Sequence, residues 1–242
     1  MDVVAVSFTE SVRALRTAQK SSRGAPLYSR LVNRPLGRVL AALAHQAGLT
    51  PNQVTAVSAG FTFAGIAVVA LVPPTPLSAA GVALLLVVGY ALDSADGQLA
   101  RLRGGGSAAG DWLDHVCDCL KTTTVHLAVL VSLHRSADLP EPWLLVPLLY
   151  AAVDTLLFFA FVLTETRRRA AGPALAVADR TRPSLVRSVL SLPTDYGVLC
   201  LVLLTLAWPS VFLVLYGAMF LGTTGYTALA LPKWFRDLSR LA

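Results

Sequence analysis

Long apolar runs dominate the chain, and polar residues fall mainly in the short gaps between them. Six runs reach the ~20 residues a helix needs to cross a ~30 Å hydrocarbon core. They cover about 51–72, 77–103, 108–134, 143–165, 188–208 and 210–231. The gaps hold turn formers: Pro73-Pro74-Thr75-Pro76, Gly104-Gly105-Gly106, Leu139-Pro140-Glu141-Pro142 and Trp208-Pro209. Such residues end one helix and open the next. The run 188–208 is the weakest, because Pro193, Thr194 and Asp195 interrupt its first turns.

Ahead of these runs, residues 28–48 show a different pattern. Leu31, Val32, Leu36, Val39, Leu40, Leu43 and Ala44 recur at helical spacing, with Arg30, Asn33, Arg34, Arg38 and His45 between them. A helix with one basic face predicts an element lying in the membrane interface. Thr50 then suits a helix cap and Pro51 a first helical position. The pattern thus predicts an all-α polytopic membrane protein with six transmembrane helices plus an N-terminal interfacial amphipathic helix. The expected division is a flexible N-terminal segment (1–27), a juxtamembrane helix (28–48), a six-helix transmembrane catalytic domain (49–232) and a tail (233–242).

Composition sharpens this. The 242 residues are 55% hydrophobic and only 14% charged, with a mean hydropathy of +0.63. A soluble domain carries about 25% charged residues. A separate soluble catalytic domain is not expected, so any chemistry sits among the helices. Val3–Val6 is too short for a signal peptide, and Asp2 and Glu10 break the basic region one would need. Cys117, Cys119 and Cys200 lie in apolar stretches without a second Cys pair, which suits packing rather than a zinc site or a disulfide framework.

Charge then sets the orientation. Arg13, Arg16, Lys20, Arg23, Arg30, Arg34 and Arg38 precede the first span, and Arg101 and Arg103 lie at the turn after the second. Arg167, Arg168, Arg169, Arg180, Arg182 and Arg187 follow the fourth, and Lys233, Arg236 and Arg240 close the chain. The opposite side keeps only Arg135, and Lys121 lies within a span. The excess of basic residues marks the cytoplasmic side, with both termini inside. It also accounts for the +6 net charge without nucleic acid, for which no motif is present.

The candidate chemistry is acidic. Asp93, Asp96, Asp111, Asp114 and Asp118 fall in segments that otherwise read as membrane, where an ionisable residue must be paired, metal-bound or open to water. Asp93 and Asp96 share a helix face. At 100° per residue, Asp111, Asp114 and Asp118 fall in a sector of about 60° on the next helix. The Gly104–Gly106 turn makes these helices antiparallel neighbours, so the two acidic faces meet. Facing carboxylates repel, and an oxygen-preferring divalent ion, Mg²⁺ or Mn²⁺, relieves that. Gly97, Ala100 and Gly110 let a ligand or helix approach closely. Arg101 lies about 12 Å along the helix from Asp93 and can hold a diphosphate.

The run Asp93-x2-Asp96-Gly97-x2-Ala100-Arg101-x8-Gly110-x3-Asp114-x3-Asp118 resembles the signature of the CDP-alcohol phosphotransferases at every fixed position. With the six spans and the interfacial helix, the resemblance covers about residues 28–231. It implies a phospholipid-synthesis transferase that moves a substituted phosphate from a CDP-linked lipid donor to an alcohol acceptor among membrane lipids, releasing CMP. It implies one or two Mg²⁺ or Mn²⁺ ions on Asp93, Asp96 and Asp114, with Asp118 as ligand or base and Asp111 as an optional ligand. Asp93, Gly97, Ala100, Arg101 and Gly110 are implied to form the CDP pocket. A homodimer in a bacterial plasma membrane, with a cytoplasmic active site, is also implied. CDP-diacylglycerol is the expected donor, and inositol phosphate or glycerol phosphate fits as acceptor. The stretch Leu113-Asp114-His115-x-Cys117-Asp118 also resembles choline/ethanolamine phosphotransferases acting on diacylglycerol, in which His115 would be the base. Otherwise His115 orients a carboxylate.

Lys121, Arg182 and Arg187 are candidate acceptor-phosphate ligands, although Lys121 equally suits a counter-charge to the acids. The Arg167–Arg169 run reads as a topology and headgroup determinant. His126 and His134 read as packing or interfacial residues, and Asp154 and Asp195 as cavity-lining groups. Buried carboxylates also occur in cation transporters, but clustering at one membrane face and the Gly-x2-Ala-Arg insert oppose a relay across the bilayer.

Overall fold

The computed structural model describes residues 8–17, 26–137, 139–172, 189 and 191–240. No strand occurs among them, and eight α-helices carry the fold. These are α1 (Phe8–Thr17), α2 (Arg34–Gln46), α3 (Pro51–Leu71), α4 (Pro76–Leu102), α5 (Ala108–Ser136), α6 (Leu145–Ala170), α7 (Tyr196–Leu203) and α8 (Pro209–Leu238). A wide helical turn, Ser29–Asn33, runs into α2, and a 3₁₀ turn, Glu141–Leu144, runs into α6. Among the described residues, five helices are long and apolar enough to cross a membrane: α3, α4, α5, α6 with its leading turn, and α8.

The helix starts follow from local chemistry. Thr50 accepts from the Gln53 backbone N–H while the Gln53 side chain accepts from Thr50 N–H, and Pro51 stands where no N–H is needed. Thr75, Pro76 and Ser78 repeat this arrangement at α4. Ser107 accepts from Gly110 N–H at α5. Gly104 and Gly105 have φ of +91° and +134°, which few side chains tolerate, and they reverse the chain between α4 and α5.

The stretch 188–208, expected as a full span, is different in its described part. It forms a 3₁₀ turn, Leu192–Thr194, and then the eight residues of α7, which rise only about 12 Å. Pro193 cannot donate within a helix, and Asp195 turns its carboxylate to backbone N–H groups rather than continuing the helix. Within residues 1–27, α1 is an element the sequence reading did not predict. Its Leu15 is fully buried against Ala41, Ala42, Val54 and Leu99.

Two apolar cores result. One joins α3 to α8 through Leu86, Val129, Leu203, Phe212 and Tyr216. The smaller one seats α1 and α2 on α3 and α4. At the α3–α4 crossing, Ser58 Oγ donates to the Gly89 carbonyl at 2.8 Å, and a Cβ at Gly89 would collide with Thr62. This small-residue contact lets the two backbones meet closely. The acidic ends of α4 and α5 lie beside it.

Candidate active site

Asp93 and Asp96, one turn apart on α4, meet Asp114 of α5, with one oxygen from each within 4.8 Å of the others. Asp114, His115 and Asp118 form a second group at the same spacing, so Asp114 belongs to both. Asp111 stands outside both groups. Its side chain is 59% exposed, and its carboxylate is 4.0 Å from His115 Nε2 and from Arg169 Nη1.

Neighbours orient these carboxylates. Asp96 is buried and accepts from Thr55 Oγ1 of α3 at 2.5 Å. Thr55 is itself tied to the Pro51 carbonyl. Lys121 is buried, with Nζ 2.5 Å from Asp118 Oδ1 and 3.6 Å from Asp93 Oδ2. The same ammonium lies 4.9 Å from the Tyr196 ring centroid and 5.8 Å from that of Tyr90. Lys121 therefore points inward, as counter-charge to two aspartates under an aromatic wall. His115 Nδ1 is buried without a hydrogen-bond partner, 3.9 Å from Asp114 Oδ2, and the ring stands edge-on to Phe158.

A pocket of about 150 Å³ opens on the first group, lined by Arg34, Asp93, Ser94, Asp96, Gly97, Gln98, Arg101 and Asp114. A narrow crevice on the far side of Asp93 is lined by Thr55, Ser58, Thr62, Cys117, Asp118 and Lys121, among others. Gly97 lines the pocket with the Arg101 guanidinium folded back beside it. At Gly110 a Cβ would lie 2.9 Å from Asn52 Oδ1, so its bareness lets the α3 start approach α5. Ala100 lies at the turn instead, its carbonyl accepting from Arg103 and Gly105 N–H. Arg182 and Arg187 lie outside the described residues.

Thr55, Arg34, Ser94 and Gln98 are site residues that sequence reasoning did not single out. A signal existed for Thr55: with Ser58 and Thr62 it forms a polar stripe on an otherwise apolar span, and all three are buried. Asp154 and Asp195 line neither pocket. Asp154 Oδ2 lies 3.2 Å from Nε2 of fully buried His126, whose Nδ1 is 2.7 Å from the Tyr216 hydroxyl. Asp195 caps backbone N–H groups.

The donor set suits a divalent ion. Asp93, Asp96 and Asp114 offer only oxygen, and among the described residues Lys121 is the one buried ammonium, lying against Asp93 and Asp118. Fold and site together define a multi-pass helical membrane protein with an acidic centre at the ends of two antiparallel helices. The chain belongs to the CDP-alcohol phosphatidyltransferase family, whose model matches residues 48–229. It is 40% identical over 93 residues to the phosphatidylinositol phosphate synthase of Corynebacterium glutamicum. That match covers 38% of this chain and 41% of the relative, less than half of either.

Proposed function

We propose that this protein transfers the phosphatidyl group of CDP-diacylglycerol to a phosphorylated alcohol such as an inositol phosphate, releasing CMP. The observation that carries this is the Asp93–Asp96–Asp114 trio, with all three carboxylates inside 4.8 Å beside a polar pocket. In the reaction the acceptor hydroxyl oxygen bonds to the β-phosphorus, and the bond from that phosphorus to the CMP oxygen breaks. Mg²⁺ or Mn²⁺ held by the trio would neutralise phosphoryl oxygens. Asp114, common to both acidic groups, would be a ligand for an ion held in either group. His115 takes the hydroxyl proton, being next to Asp114 with Nδ1 unpartnered, while Lys121 holds Asp118 in place.

The basic ends of α4, α6 and α8 support placing the site on the cytoplasmic side. Arg168 at the end of α6 reaches Asp237 at the end of α8 at 2.8 Å, and Arg169 approaches Asp111 at the start of α5. A homodimer belongs to the same reading. The 40% identity to a phosphatidylinositol phosphate synthase favours the phosphorylated acceptor. The Asp114-His115-x-Cys117-Asp118 stretch favours a second reading, transfer from CDP-choline or CDP-ethanolamine to diacylglycerol.

The test is mass spectrometry of products from purified protein with Mg²⁺ or Mn²⁺. CDP-diacylglycerol is offered with inositol phosphate, glycerol phosphate, inositol or serine, and CDP-choline with diacylglycerol. A phosphatidyl product from a phosphorylated acceptor is expected, and Asp114→Asn should lower CMP release by at least about a thousandfold. Product from CDP-choline alone would move the assignment to the second reading. No CMP from any pair, or full activity in Asp114→Asn, would sink the carboxylate mechanism. His115→Ala separates its roles: a loss of roughly a hundredfold or more fits the base, and a few-fold loss fits an orienting residue.

A further inference from the structure

We infer that Arg34, on the juxtamembrane helix rather than among the membrane-spanning ones, binds the diphosphate of the CDP-linked donor in the pocket that it lines with the aspartate trio. This rests on the donor assigned above.

Three observations carry it. Arg34 and Arg101 come from different elements yet line one pocket with Asp93, Asp96 and Asp114. A diphosphate entering there would meet both the carboxylates, with their divalent ion, and two guanidiniums. With a divalent ion on the three carboxylates, the two guanidiniums leave the pocket net positive, which suits a polyanion.

Arg34 is also held firmly. Gln98 Nε2 of α4 donates to its carbonyl at 3.1 Å and to Ser94 Oγ at 3.2 Å. One turn further, Gly37 presses on the same α4 face: a Cβ there would lie 2.7 Å from Ser94 Oγ and 2.9 Å from Gln98 Nε2. No larger residue fits without moving α2 off α4. The backbone bearing Arg34 is therefore fixed against the turn of α4 that bears Asp96 and Gly97, and fixed positioning of this kind is what a phosphate-binding side chain needs.

Finally, the exposed apolar residues of α2 lie on the other side of the helix. Leu36, Val39 and Leu43 are exposed, whereas Gly37, Ala41 and Ala44 are buried against the protein. The helix meets lipid with one side and the nucleotide pocket with the other. That is the geometry for a donor whose tails stay in the bilayer while its headgroup enters the site.

The experiment measures binding of soluble CDP, with Mg²⁺, to detergent-purified protein by calorimetry, beside steady-state kinetics with CDP-diacylglycerol. Arg34→Gln is expected to weaken CDP binding and raise the donor KM by roughly ten- to a hundredfold, leaving the acceptor KM unchanged. Arg34→Lys should fall between, since it keeps the charge and loses the fork. Arg103→Gln, which removes an exposed arginine outside the lining of this pocket, should change neither. Unaltered CDP affinity in folded Arg34→Gln overturns the proposal, as does an equal loss in Arg103→Gln. A loss seen only with the lipid donor, and not with CDP, assigns Arg34 to a lipid headgroup and likewise overturns it. If Arg34→Gln does not fold, unaltered CDP affinity in Arg34→Lys is the overturning result. Wild-type protein that binds CDP but transfers nothing removes the transfer reading while the Arg34 binding test still stands.

Discussion

Thr55 shows how a side chain without chemistry of its own can govern this site. Its hydroxyl donates to Asp96 at 2.5 Å from a neighbouring helix, fixing which carboxylate oxygen faces the other two aspartates. Groups that orient metal ligands in this way typically account for ten- to a hundredfold in metal affinity. Thr55→Val keeps the shape and removes the donor. It should weaken Mn²⁺ binding, read by electron paramagnetic resonance of the free ion, by about that factor while unfolding at nearly the same temperature; wild-type affinity would refute the role. That Asp93 and Asp96, and Asp114 and Asp118, share helix faces was legible from spacing, because i,i+3 and i,i+4 positions lie together, whereas Asp111, read onto the same face, stands outside both groups. Thr55 and Arg34 were not legible in this way. Their distance to Asp96 in the chain is 41 and 62 residues, and only the packing of α2 and α3 on α4 brings them in. Lys121 was legible as a charge near the acids, but its direction, inward beneath Tyr90 and Tyr196, depends on α7.

Elements are joined by capping as much as by apolar contact. Asp195, 1% exposed, accepts from Gly197 N–H with Oδ1 to start α7, and from Tyr28 and Ser29 N–H with Oδ2. One carboxylate thus ties the lead-in to α2 to the start of α7. Tyr28 packs onto bare Gly197, where a Cβ would collide with its ring. Asp195→Ala leaves three backbone donors without this acceptor, at a cost of about 1–3 kcal/mol for a buried unpaired group. The expected result is a drop of several degrees in the unfolding temperature in detergent, with Asp195→Asn less affected because it keeps one acceptor oxygen. An unchanged temperature in Asp195→Ala would show that the cap contributes nothing. Sequence reading found the breaks at Pro193 and Asp195 yet still counted 188–208 as a span, since apolar content cannot show that the described helix ends after eight residues. It passed over α1 for the opposite reason. Ten residues with few apolar positions look like a linker until Leu15 has a cavity to fill. The Thr50-Pro51 cap was readable because its partner lies three residues away.

At the scale of the molecule, the acidic centre opposes the packing that creates it. α3 packs against both α4 and α5 and holds them in register, through a shared apolar core that includes Ile66, Val69, Leu86, Val125 and Val129. At the site ends of α4 and α5 this arrangement brings one oxygen each of Asp93, Asp96 and Asp114 within 4.8 Å, with Asp118 beyond. Like charges at such distances in a partly desolvated site repel strongly. Lys121 lies against Asp118 and Asp93, and Arg34 and Arg101 line the pocket of the trio, so three cationic side chains face four carboxylates. The bundle without a divalent ion should therefore be the less stable state. An ion binding only the folded form stabilises it by RT ln(1 + [M]/Kd), about 2.7 kcal/mol at a hundred times Kd. Adding Mg²⁺ or Mn²⁺ to chelator-treated protein should raise the unfolding temperature, rising further with the logarithm of the concentration. In Asp93→Asn and Asp96→Asn two things should happen together: the ion-free protein becomes more stable as repulsion falls, and the response to metal flattens as a ligand is lost. A purely structural role for these aspartates predicts the reverse for the ion-free protein, because substitution would then remove a stabilising partner. The sign of that change in chelator separates a metal centre from a set of ordinary buried polar contacts, without any measurement of turnover.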